Sequence, residues 1–399
     1  MNILFCGDKG VCEGIFLSAL SICKNTKSDI KFYILTASVE DHEAIPQSFA
    51  DLLRDTVQEK REGHKVILLN ITEQFRGYLP LANMGTRFTP LCMLRLFADL
   101  IPEIPDKILY LDTDVLCNAN FEDMYRMNLG DIDIAGVPDR YGKWFFGNIL
   151  KRDYLNSGVL LLNMENIRKN GLFEKCRRMC RDKKMFMPDQ SALNKMAVKH
   201  KISGRYNNQG KMKKDTVFKH FTTFFRFLPR FKAVTIKPWQ VEKLHNELKI
   251  YEFDDILEEY ETICERIKAY LKQTGLVFVL KSLHNFAANG RVSPLVAKVA
   301  GFAGICIAGK ASDEGTLEPS HKCRGENKSL DAILSDIEKY GLRNGKVSIG
   351  HCQNEKAAER LQAMIKEKFD KVQIEIHKLR GLCSFYAEKG GLLVGFEKY

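Results

Sequence analysis

Short apolar runs alternate with amphipathic stretches along the first half of the chain. Ile3–Cys6 reads as a buried strand, and Glu13–Cys23 follows with Ile15, Phe16, Ala19 and Leu20 on one helical face. Ile30–Leu35 and Lys65–Leu69 are further strand candidates, with a polar helix expected over Glu40–Arg61 between them. Pro90–Ile101 spaces Leu91, Leu94, Phe97, Ala98 and Ile101 as a helix does, and Pro90 suits its first turn. Three more strands are expected at Lys107–Leu111, Ile132–Val137 and Gly158–Leu162. This alternation predicts an α/β fold with a mostly parallel sheet covered by helices.

Beyond Trp239 the pattern changes. An acidic helical stretch (Glu252, Asp254, Asp255, Glu258, Glu259, Glu261) leads into a second set of elements. Strands are expected at Leu276–Leu280, Gly304–Ala308, Val347–Ile349, Val372–Ile376 and Leu392–Phe396, and helices at Lys328–Tyr340 and Glu355–Phe369. The expected organisation is a first domain over 1–250, a helical connector over 251–270 and a smaller domain over 271–399. No internal repeat or Pro-rich linker interrupts it.

Composition narrows the class. With 45% hydrophobic and 28% charged residues over 399, the chain is globular rather than disordered or fibrous. Its start has no basic n-region, and no apolar run is long enough for a membrane span. A cytoplasmic location is expected, at the inner face of the membrane where a partner anchors it. The 12 cysteines never fall as CxxC, so they are read as small buried hydrophobes of a reducing compartment. Cys176 and Cys180 lie one helical turn apart, but no second pair completes a zinc site.

Charge is unevenly distributed. From Lys199 to Lys237 there are 11 Lys or Arg against the single Asp215, nearly the whole net charge of +11. Phe218, Phe221, Phe224, Phe225, Phe227 and Phe231 run through the same stretch. A solvated loop explains the charges but not the aromatics; a polyphosphate site or a peripheral membrane surface over 199–237 explains both. Nucleic acid is not expected, because no recognition helix or RNA-binding aromatic signature accompanies the basic residues.

The strongest chemical signal is Ile108-Leu109-Tyr110-Leu111-Asp112-Thr113-Asp114-Val115. In extended geometry Asp112 and Asp114 point to the same side, at the strand end where open α/β sheets bind ligands. Two hard oxygen ligands so close suit Mn²⁺ or Mg²⁺ shared with substrate phosphates. The bland alternative is a solvated strand-to-loop corner.

With these residues the first part of the chain, roughly 1–245, resembles the family 8 retaining glycosyltransferases, which include lipopolysaccharide galactosyltransferases and glycogenin. The resemblance rests on ordered motifs: the strand ending in Asp8, Arg95 between Leu94 and Leu96, Asp112 and Asp114, Asn156-Ser157-Gly158, Asp189-Gln190, and His220 with Lys237-Pro238-Trp239. It implies a GT-A-type, Rossmann-like nucleotide-diphospho-sugar transferase domain acting as a hexosyltransferase. A UDP-sugar would be the donor and a saccharide or glycolipid the acceptor. By the same resemblance Asp112, Asp114 and His220 would hold the metal. Asp8, Arg95, Asp112, Thr113 and Lys237 would meet the sugar nucleotide, with Asp8 on the uracil and Lys237 on the diphosphate. Gln190, Asp189, Asn156 and Arg95 would serve the reacting sugar.

Each residue also has a structural alternative. Asp189 suits a helix N-cap, Asn156 a turn, Arg95 a buried ion pair, and a lone His220 a satisfied core residue. Glutamine is a poor nucleophile, so front-face departure and attack is favoured over a covalent intermediate. The sequence departs from the family at three places. Seventeen positions separate His220 from Lys237, Thr235 or Ile236 stands where glycine is expected, and Lys9-Gly10 after Asp8 is atypical. The inserted Thr222–Val234 is expected at the acceptor site or a membrane surface.

The remainder resembles the carboxy-terminal half of DegV-type fatty-acid-binding proteins. The resemblance runs through Leu283–Arg291, Gly309-Lys310 and Lys322-Cys323-Arg324-Gly325. It implies a smaller α/β DegV-like domain, with Arg291 meeting the carboxylate of a fatty acid. The amino-terminal DegV half is replaced by the transferase, so a purely structural domain is the alternative. For the whole chain, the alternative to an enzyme is a non-catalytic sugar-nucleotide or fatty-acid binding protein.

Overall fold

The computed structural model describes residues 1–85, 89–141, 153–226, 232–290, 305–312 and 316–398. They divide into two compact units, Met1–Glu261 and Thr262–Tyr399. The helix Asp254–Lys272 carries the chain from one to the other.

The first unit is built on a seven-stranded sheet. Its strands are β1 (Asn2–Gly7), β2 (Lys31–Thr36), β3 (Lys65–Asn70), β4 (Lys107–Leu111), β6 (Ile134–Pro138), β7 (Leu155–Asn163) and β8 (Lys199–Lys201), in the order β3-β2-β1-β4-β7-β6-β8. Ile3, Leu4 and Phe5 are all fully buried, as expected of a strand covered on both faces. Burying each such side chain stabilises the fold by roughly 1.5–3 kcal/mol. The pairings β1 with β2, β2 with β3, β1 with β4 and β6 with β8 are parallel. β7 departs from the expected parallel order and runs antiparallel to both β4 and β6. Its Val159–Leu162 run is apolar on both faces, so periodicity carried no information about its direction.

Outside that sheet, β5 (Val115–Cys117) pairs antiparallel with β9 (Phe218–His220), and β10 (Phe224–Arg226) with β11 (Lys232–Val234). Two helical expectations need correction. The helix expected from Glu40 begins only at Gln47, because Pro46 fixes extended backbone ahead of it. Pro90–Leu100 forms a 3-10 helix that buries Leu94, Phe97 and Ala98 in the core with Leu4, Ile108 and Leu160.

The second unit holds a six-stranded sheet: β12 (Thr274–Leu280), β13 (Ile305–Ala311), β14 (Leu317–Arg324), β15 (Gly345–His351), β16 (Val372–Lys378) and β17 (Leu392–Glu397). Their order is β14-β13-β12-β17-β15-β16. Helices Glu326–Lys339 and Glu355–Lys368 cover one face, burying Ile333, Ile337, Leu361 and Ile365 against Val277, Val279 and Val394. β14 escaped sequence reading for a physical reason. It is an edge strand, largely exposed, with Pro319 beside a bulge, and edges are kept polar. The bulge brings Gly309 so close that a Cβ there would lie 2.1 Å from the Glu318 carbonyl oxygen.

Among the described residues no helix is long and apolar enough to cross a membrane. Cys176 and Cys180 are buried in the core, and burial raises both thiols, that of Cys176 to about 12. They pack as protonated hydrophobes.

Candidate active site

β4 delivers Asp112 to its carboxyl end, opposite the Gly158 position of β7, and the Asp112 amide donates to the Gly158 carbonyl at 2.8 Å. The chain turns through Thr113 and re-enters extended structure as β5. Pairing of Val115 with His220 then sets His220 beside Asp114, and the Phe221 amide donates to the Asp114 carbonyl at 3.0 Å. Three side chains distant in sequence thus converge. One donor atom each from Asp112, Asp114 and His220 lie within 4.8 Å of one another.

A chain of amides anchored on the backbone orients the histidine. Asn156 Oδ1 accepts the Gly158 amide at 3.0 Å and also the Asn207 side-chain amide at 2.9 Å. Asn207 Oδ1 is therefore the atom facing His220 Nδ1, at 3.1 Å, and accepts its proton. Nε2 faces Asp114 at 3.3 Å and Asp112 at 3.7 Å. Burial alone would raise the Asp114 carboxyl, but His220 and Lys237 outweigh it and hold it below the usual carboxylate range. Two carboxylates and an imidazole oriented through its other nitrogen suit Mn²⁺ or Mg²⁺. Gly158 makes the space: a Cβ there would lie 2.2 Å from His220 Cε1 and 3.0 Å from Asp112 Oδ2.

Arg95 is buried and does two jobs. Its guanidinium bonds Asp112 Oδ1 at 3.0 Å and lies 3.3 Å from Asp189 Oδ2, while the Ser157 carbonyl accepts at 2.6 Å. It also stacks 3.8 Å over the Tyr110 ring, whose hydroxyl donates to the same Asp112 oxygen at 2.7 Å. Asp189 is not the N-cap. It follows Pro188 in the first turn of the helix Pro188–Met196, and burial pushes its carboxyl up against the pull of Arg95. Gln190 Oε1 accepts from the Ser157 amide at 2.9 Å and hydroxyl at 3.1 Å, and its Nε2 donates to Asp139 Oδ2 at 3.2 Å.

Lys237 is ion-paired with Asp114. Its element is seated where Trp239 and the Thr113 backbone press on the helix Cys12–Lys24. A Cβ on Gly14 would lie 2.3 Å from the Thr113 carbonyl oxygen and 3.1 Å from the Trp239 ring.

Asp8, Arg95, Asp112, Thr113, Asp114, Asn156, Asp189, Gln190, His220 and Lys237 all line one cavity of about 770 Å³. The described residues of the basic stretch 199–237 do not form one surface. Phe218, Lys219, His220 and Phe221 are buried, Thr222, Thr223 and Ala233 border the cavity, and Lys201, Lys211, Lys213 and Lys214 are exposed. Phe227 and Phe231 lie outside the described residues, as do Arg291 and Gly304.

The family model for glycosyl transferase family 8 matches residues 2–242. The chain belongs to that family. Residues 257–398 match a second family model, that of the uncharacterised DegV family, so a family 8 domain is fused to a DegV domain. The fold of the first part is shared with an active-site mutant of LgtC, 18% identical over 66% of this chain and 96% of that chain, with a TM-score of 0.50. A DegV domain-containing protein of Streptococcus pyogenes serotype M1 is 42% identical over 154 residues, 38% of this chain and 55% of its own length. A DegV family protein from Eubacterium eligens, solved loaded with heptadecanoic acid, is 39% identical over 37% of this chain and 57% of that chain, with a TM-score of 0.33. The chain spans about half the length of the curated relatives it matches.

Sequence reading missed several residues that shape this family 8 site. Asp139 stands just past the end of β6 and receives both Asn156 Nδ2, at 2.9 Å, and Gln190. A carboxylate ending a strand was the signal that identified Asp112, and it applied equally here. Asn207 and His42 gave no such signal, because their roles depend on pairing between distant segments.

In the DegV unit, Gly325 has a φ of +89° ahead of the helix Glu326–Lys339, which accounts for glycine after the exposed Arg324.

Proposed function

We propose that the family 8 unit is a retaining hexosyltransferase, moving a hexose from a UDP-sugar to a saccharide or lipid-linked acceptor with Mn²⁺ or Mg²⁺. The observation that carries this reading is the approach of Asp112, Asp114 and His220 to within 4.8 Å in a cavity shared with Lys237, Arg95 and Gln190. These three residues would hold the cation, which when bound offsets charge developing on the departing nucleoside diphosphate. Lys237 exchanges Asp114 for diphosphate oxygens and adds fixed positive charge where it is needed. Asp8 meets the base, and Asp112 and Thr113 meet the nucleotide. Arg95, Asp189 and Asn156 hold the sugar. Arg95 stands between the Asp112 and Asp189 carboxylates and offsets their mutual repulsion.

The Gln190 amide oxygen is already committed to Ser157. That supports departure and attack on one face of the sugar rather than a covalent intermediate. Calorimetry is expected to show UDP binding that requires Mn²⁺ and is lost in His220→Ala. Proton NMR of the first product is expected to show the donor's anomeric configuration. An inverted product, or metal-independent UDP binding, would contradict the proposal.

For the DegV unit we propose fatty-acid binding, with Arg291 at the carboxylate. Support comes from the apolar cluster of Phe278, Leu280, Leu283, Phe286 and Ala387, in the same unit as the exposed Leu382 and Phe385. Native mass spectrometry without co-purifying lipid, together with a melting temperature unmoved by fatty acid, would favour a structural domain.

A further inference from the structure

Asp8 is held from two sides before any ligand arrives. Its Oδ1 accepts the Gly10 amide at 2.9 Å, and its Oδ2 faces His42 Nδ1 at 2.5 Å. A carboxylate can only accept, so Nδ1 carries the proton. The adjacent Lys9 does not compete, because its ammonium is 3.1 Å from Glu43.

The segment that supplies His42 has little regular structure and is nonetheless closely tied. Val39 and His42 exchange backbone hydrogen bonds of 3.0 and 2.9 Å, with Glu40 at a left-handed φ of +50° between them. Ser38 Oγ accepts the Ala44 amide at 2.9 Å, and Thr36 Oγ1 the Ile45 amide at 2.8 Å. The Lys9 amide donates to the Glu43 carbonyl at 2.9 Å, closing the turn onto the start of the Asp8 segment. A non-glycine residue in left-handed backbone is strained and persists only where its surroundings impose it. Here the turn brings the imidazole to Asp8.

We propose that His42 is a positioning residue of the base subsite. By fixing the Asp8 carboxylate in place, it makes the site select a pyrimidine with a ring N–H, uracil, over one with a ring acceptor, cytosine. The inference rests on the reading that Asp8 meets the base. A fixed carboxylate oxygen accepts from uracil N3–H but opposes the lone pair at cytosine N3. A carboxylate free to rotate can instead swing to the cytosine amino group, so restraint is what turns an acid into a discriminator.

The test is calorimetry of UDP and CDP against the full chain with saturating Mn²⁺, for the native protein, His42→Ala, His42→Asn and Asp8→Asn. His42→Ala is expected to weaken UDP about tenfold while CDP changes little, so the preference shrinks by about the same factor. His42→Asn keeps an N–H near the Nδ1 position and is expected to restore the preference. In turnover, His42→Ala should raise the donor KM and leave kcat nearly unchanged. An unchanged UDP-to-CDP ratio in His42→Ala, or an Asn variant as impaired as the Ala variant, overturns the role of His42. Should Asp8→Asn bind UDP as well as the native chain, the base-contact reading of Asp8 falls instead.

Discussion

Asp114 is buried and charged, and His220 and Lys237 are what reconcile the two. Lys219, the neighbour of His220, is compensated less. The residue is 5% exposed, and among the described residues its ammonium donates to the Gly210 carbonyl. Burial and the nearby Arg140 push it down to about 8, with Asp114 pulling weakly the other way. Between pH 8 and the ordinary lysine value the unfolded chain binds a proton that the folded chain lacks, so stability should rise with pH across that window. Below it, the folded protein carries a buried charge. Lys219→Met is therefore expected to stabilise the protein at pH 7 by roughly 1–3 kcal/mol, with the gain shrinking toward pH 10. Thermal melts of both proteins at the two pH values check this, and a less stable variant at pH 7 would contradict it. At this scale the sequence was legible wherever a residue belonged to a run: Asp112 and Asp114 at a strand end, Asp189-Gln190 after Pro188. It was silent on Asn207 and His42, whose significance comes only from the partner they meet.

At the scale of elements, the site depends on two pairings. β7 against β4 sets Gly158 beside Asp112, and β9 against β5 sets His220 beside Asp114. Gly158→Ala isolates the first. Its Cβ would fall 2.6 Å from His220 Nδ1, which is tied to Asn207 and cannot retreat. Mn²⁺ affinity is expected to fall by at least about tenfold with circular dichroism unchanged. Undiminished Mn²⁺ binding would show that the ring has room to move. Apolar runs located β1, β4 and β7 because burial on both faces leaves a continuous signal. The three-residue strands β5 and β9 are too short to carry a period, so the ribbon that completes the donor set could not be read in advance.

Among the described residues, the core around the seven-stranded sheet and the core around the six-stranded sheet share no residue. Two such cores predict two calorimetric transitions rather than one. UDP with Mn²⁺ should raise only the transition of Met1–Glu261, since a ligand stabilises the unit that binds it. A single cooperative transition, moved as a whole by the nucleotide, would contradict this. The change in composition after Trp239 made two parts visible in sequence. The polar edge strand β14 stayed hidden, because the features that protect an edge also erase its apolar pattern.

The most direct test is release of nucleoside diphosphate from a panel of sugar nucleotides with Mn²⁺, comparing the native chain with Asp114→Ala. Slow hydrolysis of one UDP-sugar by the native chain, abolished in the variant, is the predicted result. No turnover of any donor, or equal turnover by the variant, would contradict a metal-dependent transferase and favour a protein that only binds sugar nucleotides.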